Sequence, residues 1–203
     1  EYGNKIEENK SPKMEDTFFS SEDFDNFRLG GEKIIDLIDN YGFNKGDFKP
    51  YTPLTSEEIK NSNIEVHYLG YYLKWDPQEC YYYAVDNTGF KANTERTQGS
   101  YSKYSSIDDK IDPFHYYTTY IKFGIGRATY DAAQEIRNDK ITRAEGVQLV
   151  KKYDHEFPEK YFNEFLNYID MTEKEFFEII DKNRSPHLWH KVDGNWELKK
   201  TIQ

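Results

Sequence analysis

Apolar residues recur at helical spacing through the C-terminal part of the chain. From Arg127 to about Arg184 they return every three or four residues, with polar residues between them. A threonine followed three residues later by glutamate, the capping-box spacing, occurs at Thr142 and Thr172, and a further break is expected at residues 154–158. The pattern predicts a small helical bundle. The predicted core-facing residues are Val147, Leu149, Val150, Tyr161, Phe162, Phe165, Leu166, Ile169, Phe176, Phe177, Ile179 and Ile180.

The first half of the chain carries shorter helical signals separated by polar segments. Residues 32–41 place apolar side chains on one side and precede a glycine, which predicts a short amphipathic helix. Thr55 begins a capping box, so a second helix is expected to end near residue 61. Asp76 followed by proline predicts a helix that ends at Gly89, and Asp112 followed by proline predicts another.

Two stretches favour β-structure. Residues 64–73 (IEVHYLGYYL) are rich in β-branched and aromatic side chains and predict one strand. A single strand needs a ladder partner, so we expect it to pair with a neighbour outside its own segment or with another chain. Asp193-Gly194 lies between two short runs and predicts a hairpin near residues 189–198. The predicted fold class is mainly α with minor β.

The chain divides into three parts on these patterns. Residues 1–31 are polar, contain Ser11-Pro12 and end in two glycines, which indicates an irregular arm. Residues 32–95 hold the short helices and the predicted strand. Residues 96–203 form the predicted helical C-terminal domain.

The composition limits the classes of function and partner that the chain can have. Aromatic residues reach 17% although only 36% of the chain is apolar, so burial must rely on rings. The net charge of -10 argues against a nucleic-acid or anionic-membrane partner. Cys80 is the only cysteine, which excludes an intrachain disulfide and suits a cytoplasmic setting. No apolar run approaches the roughly 20 residues of a membrane helix.

One region departs from the acidic balance. Between Tyr120 and Lys152 the basic residues outnumber the acidic ones, which suits a phosphorylated ligand. Lys122 and Arg127 flank the glycines of KFGIGR, and the amides of Gly124 and its neighbouring glycine precede a helix start. A helix N-terminus with cations beside it can hold a phosphate. Glycines between helices are also ordinary stop signals, so the structural interpretation remains open.

Other polar residues of residues 96–137 are candidates for chemistry. His115 can shuttle a proton near neutral pH, or it can bond tyrosine hydroxyls. Asp108, beside a second aspartate, can steer substrate or Mg²⁺, or it can belong to a solvated turn. The remaining histidines lack metal-ligand spacing, so no metal site is predicted on this chain.

The motif R..G.Y..Y.SID, followed by a histidine, KFG..RAT.DA and I.R.E...LVKK.D, resembles the C-terminal half of the N-acetyl sugar amidotransferases. These enzymes of bacterial surface-sugar biosynthesis belong to the PP-loop ATP pyrophosphatases. Their Ser-Gly-Gly-x-Asp-Ser loop does not occur in this sequence. The resemblance implies the C-terminal helical portion of an α/β PP-loop enzyme, with residues 32–95 as a remnant of the nucleotide-binding domain and the opening at Glu1 as a mid-chain segment. We therefore expect the N-terminal half to be truncated or separately encoded.

The resemblance also implies an activity. Such an enzyme turns an acetamido group of a surface-polysaccharide or flagellin sugar precursor into an acetamidino group, using ATP, Mg²⁺ and ammonia. Implied partners are the N-terminal PP-loop half, glutaminase and ammonia-channel subunits, and a nucleotide-linked or free N-acetyl sugar. We expect this chain alone to bind no cofactor strongly and not to activate ATP. Two alternatives remain: a non-catalytic helical module that binds a sugar or partner, and a fragment of a PP-loop tRNA-modifying enzyme, against which the acidic balance argues.

The resemblance and the residue types together give two groups of site candidates. The catalytic candidates are His115 and Asp108. The substrate- or phosphate-binding candidates are Lys122, Gly124, Arg127, Arg96, Tyr101 and Glu1.

Overall fold

The computed structural model describes residues 11–203, and Glu1, a predicted binding residue, lies outside them. The described residues form two compact units, which divide between Trp75 and Asp76. The described residues are mainly helical with two small antiparallel hairpins, so the predicted class, mainly α with minor β, is confirmed. The predicted division at residues 31 and 95 stays a prediction.

The first unit is built from short elements. A hairpin joins the short strands Arg28–Leu29 and Glu32–Lys33 through two glycines with positive φ. Ile34, Phe48 and Ile59 supply its buried apolar residues. The elements are a 3-10 turn Asp16–Phe18, β1 Arg28–Leu29, β2 Glu32–Lys33, α1 Ile34–Tyr41, a 3-10 helix Lys45–Tyr51, α2 Ser56–Ser62 and α3 Leu69–Tyr72. Helix α1 ends at Gly42 (φ 74°), as predicted, and Thr55 forms the predicted capping box of α2.

The strand predicted over residues 64–73 is wrong. Its only ladder contact in the described residues is an isolated antiparallel bridge between Lys13 and His67. The amide of Met14 donates to the Val66 carbonyl at 2.8 Å, and then Leu69–Tyr72 forms one helical turn. The physical reason is that a strand needs a partner of similar length. In the part of the chain that the structure describes, only a few residues pair here, and residues 69–72 satisfy their backbone with local helical bonds instead.

The second unit holds six helices and a hairpin. Asp76 caps α4, which ends at Gly89 (φ 73°), and Thr142 and Thr172 form the predicted capping boxes. Asp112 is the first helical residue of α5 and not its cap, one residue from the prediction. The elements are α4 Pro77–Thr88, α5 Asp112–Phe123, α6 Arg127–Arg137, α7 Arg143–Tyr153, α8 Phe162–Tyr168, α9 Glu173–Lys182, β3 Trp189–Val192 and β4 Asn195–Leu198.

Aromatic rings dominate the core of this unit. Ile121 of α5 packs with Leu166 of α8, Phe176 and Ile180 of α9, and Trp189 of β3. Around them stand further aromatic side chains, including Tyr117, Phe157, Phe162 and Phe165. The rings of Phe114 and Phe165 stack with centroids 4.1 Å apart. Burial therefore relies on rings, which the composition predicts, and the core joins α5, α8, α9 and the hairpin.

The C-terminal hairpin is confirmed at residues 189–198. Asp193 (φ 49°) and Gly194 (φ 86°) both take the positive φ that a tight two-residue turn requires. The Trp189 indole donates to the Ile121 carbonyl at 2.7 Å and fixes the hairpin to α5. The Arg184 guanidinium lies 4.5 Å from the Trp189 ring centroid and 5.4 Å from that of Trp196. The hairpin thus closes one side of the core.

Helices α6 and α7 approach each other closely. A Cβ at Gly146 would lie 2.8 Å from the Ile136 Cδ1 and 3.5 Å from the Ala132 Cβ. Ala128 and Ala132 of α6 are both buried. Small residues therefore set the distance between the two helices. Helix α6 also carries Asp131 and Glu135, two of the polar residues described next.

Candidate functional site

The polar residues converge on residues 96–106, here called the serine loop. Its hydroxyls bond its own backbone: Thr97 Oγ1 donates to the Ser105 carbonyl at 2.8 Å, and Ser102 Oγ accepts from the amide of Ser105 at 3.2 Å. Ser100 is fully buried. Serine and threonine bond turns in this way because their side chains replace backbone partners. The serine loop is therefore an ordered structure and not a free linker.

Arg96 begins the serine loop and is held within the chain. Its guanidinium donates twice to the Glu156 carboxylate, at 2.6 and 2.5 Å, and lies 4.6 Å from the Tyr153 ring centroid. The Gly99 amide donates to Glu156 at 2.9 Å. Burial alone would raise the pKa of Glu156, but the hydrogen bonds from Arg96 and Gly99 outweigh it and lower that pKa. Substrate would have to compete with this pair for Arg96.

A second polar network joins the serine loop to α6. Ser100 Oγ donates to Asp131 Oδ2 at 2.5 Å, and Arg127 Nε donates to Asp131 Oδ1 at 2.8 Å. Arg127 also donates to the Tyr116 hydroxyl at 3.1 Å, and that hydroxyl bonds Ser106 at the far end of the loop. Burial by itself would lower the pKa of the Arg127 guanidinium, but Asp131 and Tyr116 raise it overall. Arg127 is thus part of the network that positions the loop.

Carboxylates and phenols gather where the serine loop meets α6. Burial, with the charges of Glu135 and Asp131, raises the pKa of Tyr101 and raises that of Tyr104 to about 12. Burial also raises the pKa of Glu135, to which Asp131 and Asp76 contribute. The Tyr101 hydroxyl is buried and finds no well-aligned hydrogen-bond partner among residues 11–203, although Glu135 is close enough to interact with it. These residues form an acidic, tyrosine-lined patch.

The N-terminus of α6 is closed by a carboxylate of the chain itself. Asp154 accepts from the Gly126 amide at 2.8 Å, the Thr129 amide at 2.9 Å and Thr129 Oγ1 at 2.7 Å. The Gly124 amide donates to the Tyr120 carbonyl at 2.8 Å and ends α5. The two glycine amides, predicted to lie open to a phosphate, are therefore both bonded within the chain, and Asp154 occupies the place that an anion would take at this helix N-terminus.

Lys122 stays exposed near the end of α5. It lines a shallow groove of about 500 Å³ with Lys182 and His187, on the side of the unit that carries residues 182–188. Gly124 has φ 73°, and a Cβ there would lie 3.3 Å from the Leu198 Cδ2. Lys122 and Gly124 as phosphate-binding residues stay predictions, and the structure gives Gly124 a role in packing against β4.

The two catalytic candidates are both exposed. His115 lies in the first turn of α5, with its ring 6.1 Å from that of Tyr116, and its ring nitrogens bond no other residue in the described part of the chain. Asp108 lies after the serine loop, and its neighbour Asp109 accepts from the Ile111 amide at 2.7 Å. Solvent can reach both side chains, so their catalytic roles stay predictions.

Residues 11–203 contain no group of three or more His, Cys, Asp or Glu side chains arranged to hold a metal ion. None of the helices in the same residues is long and apolar enough to cross a membrane.

Sequence reasoning misses Glu156 and Asp154, the two acids that organise this region. Glu156 lies 60 residues from Arg96, and Asp154 lies 28 residues from Gly126. Their partners are chosen by tertiary packing, so only the requirement that a half-buried arginine and a helix N-terminus be satisfied points towards them.

Comparison with known proteins now gives the class. A family model described as "LPS biosynthesis protein WbpG-like, C-terminal domain" matches residues 98–203, just over half of the chain. The match covers the serine loop beyond its first two residues, α5 to α9 and the hairpin. A search of curated proteins finds no significant match.

The chain is thus a protein of lipopolysaccharide biosynthesis, and it belongs to the WbpG-like family through that family's C-terminal domain. The resemblance to a family of surface-sugar biosynthesis is confirmed at this level.

Proposed function

We propose that this chain is the C-terminal helical portion of an ATP-dependent N-acetyl sugar amidotransferase of the α/β PP-loop type. Residues 32–95 would then belong to the nucleotide-binding domain. The observation that carries the proposal is the family match, which begins within the serine loop and covers the polar network on α6. Resemblance of the motif R..G.Y..Y.SID to the amidotransferases supports the choice of reaction.

The reaction replaces the oxygen of an acetamido group by nitrogen. An amide oxygen is a poor leaving group, so ATP must first transfer AMP to it and release pyrophosphate. Ammonia then attacks the amide carbon, AMP leaves with the oxygen, and a proton is lost to give the acetamidino group. Most ammonia is protonated at neutral pH and is not nucleophilic. A glutaminase partner and an ammonia-channel subunit would supply the neutral form at the site.

The role of this chain is to form the sugar side of the site. The partly exposed Glu135 carboxylate of the acidic patch suits a sugar hydroxyl group, because a carboxylate accepts its hydrogen bond. Ser100, bonded to Asp131, holds the serine loop against this patch. His115 is the candidate acid-base group, and its exposed ring leaves both nitrogens available.

Activation of ATP belongs to the proposed PP-loop half. Most of the carboxylates for Mg²⁺ would lie on that half as well, because this ion is held by one or two carboxylates together with the phosphate oxygens of ATP. Lys122 and Arg96 would supply the positive charge that binds a nucleotide-linked or free N-acetyl sugar, through its phosphate or hydroxyl oxygens. A cytoplasmic location follows from the proposal, since ATP and nucleotide sugars are made there.

The test is release of pyrophosphate by this chain mixed with the PP-loop polypeptide, ATP, Mg²⁺, ammonium and an N-acetyl sugar nucleotide. We expect release only when both polypeptides are present, and loss of most of it in His115→Asn and Lys122→Ala. Lys174→Ala is the matched control, because that lysine is exposed on α9. Sugar binding without pyrophosphate release would favour the non-catalytic module instead.

A further inference from the structure

A cleft of about 400 Å³ opens beside the turn between α5 and α6. Its walls come from that turn, the C-terminal end of α7 and the residues that follow β4. Ile125, Leu198 and Ile202 supply apolar surface, together with Tyr120 and Val150. A volume of this size accommodates a small organic ligand, for which clefts of about 300–1,000 Å³ are typical.

The rim of the cleft is positive. Lys151 and Lys200 line it from two separate parts of the chain. Asp154 is the only acid among the described lining residues, and it is 6% exposed. The hydrogen bonds of its carboxylate go to Gly126 and Thr129 at the α6 N-terminus, so its charge is already compensated. The cleft therefore presents positive charge on a chain whose net charge is -10.

The two lysines are available to a ligand. Neither Lys151 nor Lys200 forms a salt bridge within residues 11–203, whereas Lys110 and Lys160 are paired with glutamates. A lysine in the last turn of α7 also complements the helix dipole. That role does not explain Lys200, which follows a strand and borders the same apolar surface.

We propose that this cleft binds an organic phosphate, in which an apolar or aromatic group joins a phosphate or diphosphate. The apolar group lies on Ile125 and Leu198, and the phosphate oxygens accept hydrogen bonds from Lys151 and Lys200. A nucleoside diphosphate and a prenyl diphosphate share this chemistry. One of these ligands, the nucleoside diphosphate, is the nucleotide part of a sugar nucleotide, and for that ligand the inference rests on the proposed function.

The test is calorimetric titration of the full chain with uridine diphosphate, farnesyl diphosphate, uridine and inorganic pyrophosphate. We expect one of the two organic diphosphates to bind at least about ten-fold more tightly than uridine or pyrophosphate, because the cleft contacts both the organic group and the diphosphate. Which diphosphate binds identifies the source. Pyrophosphate binding as tightly as both organic ligands, or no organic ligand binding by about 1 mM, overturns the proposal.

Variants locate the binding. Lys151→Glu should weaken the organic diphosphate at least about ten-fold, the loss expected for one charge-assisted hydrogen bond. Ile125→Trp should abolish binding by filling the cleft, and Ile125 is 54% exposed, so folding is retained. Lys174→Glu makes the same charge change on α9, away from the cleft, and should leave binding unchanged. Equal weakening by both lysine variants overturns the assignment.

This titration needs no ATP, ammonia or PP-loop partner. Its failure is therefore separate from failure of pyrophosphate release.

Discussion

The Arg96 guanidinium and the Glu156 carboxylate, 60 residues apart in sequence, form a bidentate ion pair with nitrogen–oxygen distances of 2.6 and 2.5 Å. The same carboxylate accepts the Gly99 amide at 2.9 Å. The segment after α7 therefore holds the start of the serine loop by three hydrogen bonds. Because Asp131 holds the middle of the loop through Ser100, two acids from different parts of the chain fix its conformation.

Glu156→Gln should destabilise the protein by about 1–2 kcal/mol, because it removes the charge from a paired and partly buried carboxylate. The side chains of Arg96 and Glu156 are 34% and 23% exposed, so solvent screening keeps the loss below that of a fully buried pair. Urea denaturation measures the change. Glu159→Gln is the control, since it makes the same substitution at an exposed position nearby. Equal effects of both variants would contradict the role given to the pair.

The same pair predicts a pH dependence of stability. The pKa of Glu156 is lowered in the folded state, so the pair adds stability above the unfolded pKa of the carboxyl group. That stability is lost as the pH falls from this value through the folded pKa, where Glu156 takes up a proton. The free energies of unfolding of wild type and Glu156→Gln should therefore converge in acid. A difference that persists unchanged at low pH would rule out the charge as its source.

Local signals in the sequence predict most helix boundaries. Thr55, Thr142 and Thr172 each cap a helix through a glutamate three residues later, and Asp193-Gly194 forms the predicted turn. Both partners in these motifs are close in sequence, so the motif contains all the information it needs.

The sequence does not determine which residues far apart along the chain contact each other in the fold. Residues 64–73 have strand composition, but whether they form a strand depends on a partner, and within residues 11–203 only those near Lys13 pair with them. Residue types select Arg127 as a phosphate ligand, yet packing gives it Asp131 and Tyr116 instead. The ring of His115 is exposed, and its catalytic role stays a prediction.

Glu135 should oppose folding at neutral pH. Burial raises its pKa, with contributions from Asp131 and Asp76, so the folded state disfavours its ionised form. Glu135→Gln should therefore raise the free energy of unfolding at pH 7 by about 0.5–1 kcal/mol, once solvent screening at this half-buried position is allowed for. The gain should disappear below the unfolded pKa, where wild-type Glu135 is protonated in both states. Thermal melts at pH 7 and pH 3.5 measure it, and a gain that is equal at the two pH values would contradict this cause.

Gly126→Ala should destabilise the protein by about 1–3 kcal/mol, the range for forcing an extra methyl group into a packed site. A Cβ at residue 126 would lie 2.9 Å from both the carbonyl oxygen and the Oδ1 of Asp154. The clash would push Asp154 away from the Gly126 and Thr129 amides and uncap α6. Urea denaturation measures the loss. Asp154→Ala removes the cap directly, and combining it with Gly126→Ala should cost less than the sum of the two single changes, because each disrupts the same contact. Full additivity would show that Gly126 is required for a reason other than Asp154.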